Sequence, residues 1–149
     1  MYPTTRIADF INEHFVPVRF HVKDQHDDFQ RVGGKYGAQW TPTVLIVDAN
    51  GEERHRIEGF LPADDFLSQL LLGTARAAFD QKDYATAEQR YRRVVEEFPE
   101  TEAAPEALYW AGVSKYRATN DPSALKATAA AFAERYQSSS WAKKASVWR

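Results

Sequence analysis

Hydrophobic positions change period twice along this chain. Ile7, Phe10, Ile11 and Phe15 recur at helical spacing, Thr4 or Thr5 can cap the helix they define, and Pro17 follows it. Val16, Val18, Phe20 and Val22 then alternate with Arg19, His21 and Lys23, the period of two expected of a half-buried strand. Phe29, Val32 and Tyr36 return to helical spacing behind Asp27 and Asp28, acids suited to a helix N-terminus. Gly33, Gly34 and Gly37 predict that this helix is short.

Thr43 to Val47 is an unbroken β-branched and aliphatic run, which predicts a strand buried on both faces. Asn50-Gly51 predicts a type I′ hairpin into a returning strand, Arg54 to Glu58, with Arg54 and Arg56 on its wetter face and Gly59 at its end. Pro62 with Asp64 and Asp65 opens the next helix. The predicted order is α-β-α-β-β-α. Beyond Leu70 only helical periodicity remains, with helices expected at about 63–81, 84–98, 103–118, 122–136 and 139–148. Pro99, Asn120-Asp121-Pro122 and Ser138-Ser139-Ser140 separate them.

Composition narrows the function classes. With 44% hydrophobic and 27% charged residues, the chain can bury a core and is not of the disordered class. Residues 1–72 carry 7 basic and 11 acidic side chains and residues 73–149 carry 12 and 10, so neither half has a nucleic-acid footprint. No apolar run is long enough to cross a membrane and no signal-peptide pattern begins the chain, so a cytoplasmic location is expected. There is no cysteine. That excludes a disulfide framework, a thiolate metal site and, for this polypeptide, thiol–disulfide exchange, which needs one thiolate to attack and a second thiol to resolve.

Two stretches resemble known families. Gln39 to Glu52, with Thr41-Pro42, the run Val44 to Val47, Asp48 before Asn50-Gly51 and Gly59 after the last strand, is similar to the part of a thioredoxin fold that follows its redox Cys-x-x-Cys motif. The resemblance covers residues 5–72. It implies a cis peptide at Thr41–Pro42 and a sheet lacking the strand and cysteine helix that the family places first. Without that strand the sheet edge must close by direct pairing of Val16–Val22 with Thr43–Val47, by dimerisation or through a partner segment. The second resemblance is to tetratricopeptide repeats, helix pairs recurring about every 34 residues. Ala75, Ala78, Tyr84, Ala87, Tyr91, Val94 and Pro99 fall at that family's small, aromatic and closing positions, with Lys82 where a turn glycine is usual. A looser second copy runs through Leu108, Trp110, Ala111, Gly112, Tyr116, Leu125, Phe132 and Tyr136, and Trp141 to Trp148 resembles a capping helix.

The expected architecture is therefore α/β plus all-α: a partial thioredoxin-like sheet over residues 1–72, followed by tetratricopeptide-like antiparallel helix pairs over 73–149. The expected function is a non-catalytic interaction or scaffold protein. The alternative is a thiol–disulfide redox protein whose cysteine-bearing segment is missing from this chain. Candidate peptide-binding residues are Trp40, Thr41 and Pro42, where backbone beside a cis-proline can accept an added strand, together with Trp110 and Tyr116. The competing reading of Trp110, Trp141 and Trp148 is core packing between repeats. His21, Lys23, Asp24, His26 and Asp27 show no converging ligand spacing and read as a solvated loop, so no metal, no cofactor and no catalytic residue are expected. A protein or peptide partner, and a homodimer, fit this reading; nucleic acid and membrane do not.

Overall fold

The computed structural model describes residues 5–149. Helix α1 spans Thr5–His14 and α2 spans His26–Lys35; β1 is Thr43–Val47 and β2 is Glu53–Glu58. Helices α3 (Ala63–Asp80), α4 (Tyr84–Glu97), α5 (Ala103–Thr119), α6 (Ser123–Glu134) and α7 (Ser140–Ala145) follow, and a 3-10 turn at Ser146–Trp148 ends the chain. Thr5 is already helical, and Thr4 lies outside the described residues.

The order is thus α-α-β-β-α, not α-β-α-β-β-α. Residues 15–21 lie outside any helix or strand, and a turn from Val22 to Gln25 leads into α2. Val16 is 93% exposed and Val18 72%. No backbone hydrogen bond joins this segment to β1, so of the three closures open to the edge direct pairing within the chain does not occur. Alternation alone does not make a strand, because the ladder needs a neighbour for every N–H and C=O it orders.

The sheet is a single antiparallel hairpin, Thr43 opposite Glu58 through Ile46 opposite His55, with an irregularity at Ile46/Val47. Its turn differs from the type I′ expectation. The Gly51 N–H donates to Asp48 O at 3.0 Å and only Gly51 (φ 83°) is left-handed, which fits a type I turn closed by a glycine bulge. The Asp48 carboxylate accepts from the N–H groups of Asn50 and Glu52 at 2.9 and 3.0 Å, which makes the tighter form unnecessary. Nor is β1 buried on both faces. Ile46 is buried, Thr43, Val44 and Leu45 are half-buried, and Val47 is exposed. A two-stranded sheet has too few neighbours to enclose an apolar strand.

Helix α3 joins the two halves. It runs unbroken through the 72/73 junction expected from the sequence, and it buries Phe66, Leu67, Leu70, Leu71 and Leu72. Its hairpin-facing side depends on Gly73, where a Cβ would collide with Ile46 Cδ1 and lie 3.0 Å from His55 Cβ. Its C-terminal half packs on α4 through Ala75, Ala78, Ala87 and Tyr91, the small-and-aromatic arrangement expected. Lys82 adopts φ 64° between α3 and α4, so it takes the left-handed turn that glycine usually serves, at about 1–2 kcal/mol of backbone strain. The α5–α6 pair repeats the device, since a Cβ at Gly112 would fall 2.8 Å from Thr128 Cβ. One hydrophobic core runs from Ile7 and Ile46 through α3 to Phe132 and Ala145.

Candidate functional site

Trp40, Thr41 and Pro42 lead into β1 and are all exposed, Trp40 by 67%. The Thr41–Pro42 peptide is cis, as the sequence resemblance implied. Thr43 Oγ1 donates to Trp40 O at 2.6 Å and the Gly59 N–H donates to Pro42 O at 2.8 Å, which pins the turn to the far end of β2. What this corner offers chemically is an indole platform beside a strand edge, with no titratable side chain among its three residues.

The register decides which way the edge faces. Because Gly59 bonds its direct partner Pro42, the alternating ladder turns the backbone groups of Val44 and Ile46 inward to β2. Those of Thr43, Leu45 and Val47 therefore point outward, and none has a backbone partner among the described residues. The outer edge of β2 is different, because charged side chains line it. Arg56 binds Glu53 at 2.7 Å and Glu58 at 3.0 Å and also donates to Tyr36 O; the Tyr36 hydroxyl donates to Gly51 O at 2.9 Å. These contacts hold the end of α2 on the sheet face opposite α3. Arg54 and Arg56 are half-buried rather than wet.

A polar chain connects the hairpin to the repeats. Arg54 pairs with Asp48 at 2.7 Å and with Asp80 of α3 at 3.3 Å, and Arg76 pairs with Asp80 at 3.2 Å. The backbone N–H of Glu52, then the Arg54 guanidinium, hold the Asp48 carboxyl below the usual carboxylate range. His55 faces α3, and its Nε2 lies 2.7 Å from Gln69 Oε1. Burial lowers its pKa and Arg76 adds to that, while Gln69 and Glu53 oppose it.

The Arg76 guanidinium sits 5.3 Å from the centroid of Trp110. Trp110 is half-buried, edge-on to Phe79 at 5.2 Å and to Tyr109 at 5.5 Å. Tyr109 stacks on Trp148 at 4.7 Å and lies 5.2 Å from Trp141, over which Lys144 Nζ sits at 3.9 Å. The tryptophans thus pack between repeats and also keep partly open faces. One polar group here, the Trp110 Nε1–H, is buried with no acceptor among the described residues, while the half-buried Glu106 carboxylate forms no hydrogen bond or ion pair with them. Burial raises the Glu106 carboxyl, with Arg76 and Lys144 opposing. Burial likewise pushes the neighbouring Tyr91 hydroxyl up.

The five sequence candidates do not form one site. Trp40, Thr41 and Pro42 stand beside Gly59 at the end of β2, whereas Trp110 packs on Phe79 near the C-terminal end of α3. Tyr116 is half-buried on α5, and six residues of helix rotate it about 120° from Trp110. Arg76, Glu106, Tyr109 and Lys144 were not singled out from the sequence. Among the described residues no three His, Asp or Glu side chains converge as a metal site; His21 pairs with Asp24 at 3.0 Å on the surface.

A thioredoxin-like domain model matches residues 3–73 and a tetratricopeptide repeat model matches residues 69–101, the two overlapping within α3. No curated protein and no solved structure gives a significant match. The chain therefore carries a thioredoxin-like domain without cysteine joined to tetratricopeptide-type helical pairs.

Proposed function

We propose that this protein is a non-catalytic interaction module whose repeat half holds an extended segment of a protein partner against the face shared by α3, α5 and α7. Tetratricopeptide repeats generally mediate contacts between proteins, which supports a protein partner. The observation that carries the reading is the composition of that face. Tyr109, Trp110, Trp141 and Trp148 are half-buried, and the Lys144 ammonium rests on an aromatic ring with no carboxylate within ion-pair reach among the described residues. Partly exposed aromatic rings beside cations are the side chains that most often anchor a protein interface. A partner segment with an apolar side chain for the rings and a carboxylate for Lys144 fits best.

No thiol chemistry enters this reading. Catalysis of disulfide exchange would require cysteines supplied from outside these 149 residues, since none of them is cysteine. A peptide library selected on the intact chain tests the proposal. Enriched peptides are expected to be acidic and apolar, to lose at least tenfold in affinity for Trp141→Ala and Lys144→Glu, and to bind Val18→Ala normally. Peptides indifferent to the first two substitutions would remove the repeat face from the function. In an insulin-reduction assay the chain is expected to show no turnover.

A further inference from the structure

We propose that a second copy of this chain closes the outer edge of β1, each copy laying its residues 16–22 along the β1 strand of the other. The inference is independent of the α3–α5–α7 face. It starts from two unpartnered elements of one chain that fit each other. Thr43, Leu45 and Val47 direct their backbone groups away from β2, where they meet no backbone partner among the described residues. Residues 16–22 carry strand periodicity, yet they make no ladder and expose Val16 and Val18 almost completely. A strand template and a strand-patterned segment, both bare, are the ingredients of strand addition.

The two edges of the hairpin are not equivalent, and the difference selects β1. The outer edge of β2 is lined by Glu53, Arg56 and Glu58, charges of the kind that discourage edge pairing. From Thr43 to Val47, β1 has no charged residue at all. The incoming segment also matches the sheet face by face. Its apolar row, Val16, Val18, Phe20 and Val22, extends the row of Val44 and Ile46 that lies against α3. Its basic row, Arg19, His21 and Lys23, then falls on the opposite face, beside Thr43, Leu45 and Val47, where β1 carries no charge.

The segment is not free to serve its own β1 in this way. Phe15 continues α1, which packs on α3, through its N–H to Ile11 O at 2.9 Å. At the other end the turn 22–25 leads straight into α2, which Tyr36 and Arg56 fasten to the opposite sheet face. The segment therefore carries the chain from one face to the other. A second copy approaches without that constraint, and reciprocal exchange closes as a two-fold dimer.

Light scattering across a dilution series decides the matter. The expected mass is about twice 17.0 kDa at the highest concentration, falling to a single chain on dilution. Val16→Asp with Val18→Asp, at positions too exposed to affect folding of the single chain, is expected to give a monomer at every concentration, with a thermal melt equal to that of the parent chain at monomeric dilution. Val47→Lys is expected to do the same from the other side of the joint. Mixing these two variants restores one of the two joints, because one retains the edge and the other the segment, so dimer mass reappears in the mixture only. A monomer at all concentrations overturns the proposal, as does a dimer that survives Val16→Asp/Val18→Asp. Failure of the mixture to re-associate overturns the exchange, whereas a dimer that survives Val16→Asp/Val18→Asp points to β1 pairing with β1.

Discussion

The two halves of this molecule solve the same problem with unequal success. In the repeats, Ala75, Ala87, Tyr91, Val94, Ala107 and Ala111 are essentially fully buried between helices. In the hairpin half, Ile46 is the one buried residue of β1, and Val16 and Val18 stand in solvent. The cause lies in where backbone hydrogen bonds are made. A helix satisfies its interior N–H and C=O groups by itself, so a helix pair needs neighbours only for its side chains. A strand needs neighbours for both, and one hairpin leaves half of those groups unpaired. Alternating apolar residues at 16–22 therefore produce nothing on their own, whereas helical periodicity from residue 63 onward produces every predicted helix.

The sharpest break in this comparison is a matched truncation. Leu71→Ala empties a fully buried site in α3 and is expected to cost about 2–5 kcal/mol, whereas Val18→Ala is expected to change stability by less than about 0.5 kcal/mol. Denaturant unfolding of both variants measures the contrast, and equal costs would show that residues 16–22 are buried in solution. Gly73→Ala probes the joint between the halves. Its Cβ would collide with Ile46, so about 1–3 kcal/mol of destabilisation is expected. Amide exchange should quicken in both the hairpin and α4, because α3 serves both; exchange confined to the hairpin would show that the halves open separately.

A smaller effect follows from His55. Its folded pKa lies below the ordinary 6.5 because burial disfavours the imidazolium. Below that pH the unfolded chain takes up a proton that the folded chain resists. Stability is therefore full above pH 6.5 and declines as the pH falls toward the folded pKa. Glu106, with a raised pKa, slopes the opposite way above its ordinary 4.5, so the comparison is made against a variant. His55→Gln keeps an amide toward Gln69 and is expected to flatten the decline between pH 6.5 and 5 in thermal melts. An unchanged slope would assign it to other groups.

Periodicity and turn chemistry were enough to read α1 and α2, the hairpin strands and the helices from α3 to α7 within a few residues, because each of these signals is local. The resemblance around Trp40-Thr41-Pro42 placed the cis peptide correctly, and the spacing of Ala75, Ala87 and Tyr91 located the first helix pair. The turn at Asn50-Gly51 was misread in type, since the Asp48 carboxylate, two positions away, stabilises the looser form. Residues 16–22 were misread as a strand because strand formation depends on a partner that lies elsewhere in space. The same reason kept Arg76, Glu106, Tyr109 and Lys144 out of view: their surroundings exist only once α3, α5 and α7 stack. The amino-acid sequence by itself determined the local elements, the lack of thiol chemistry and the repeat period. Tertiary structure alone decided which strand edge stays bare and which cations meet which rings, because those are contacts between residues far apart along the chain.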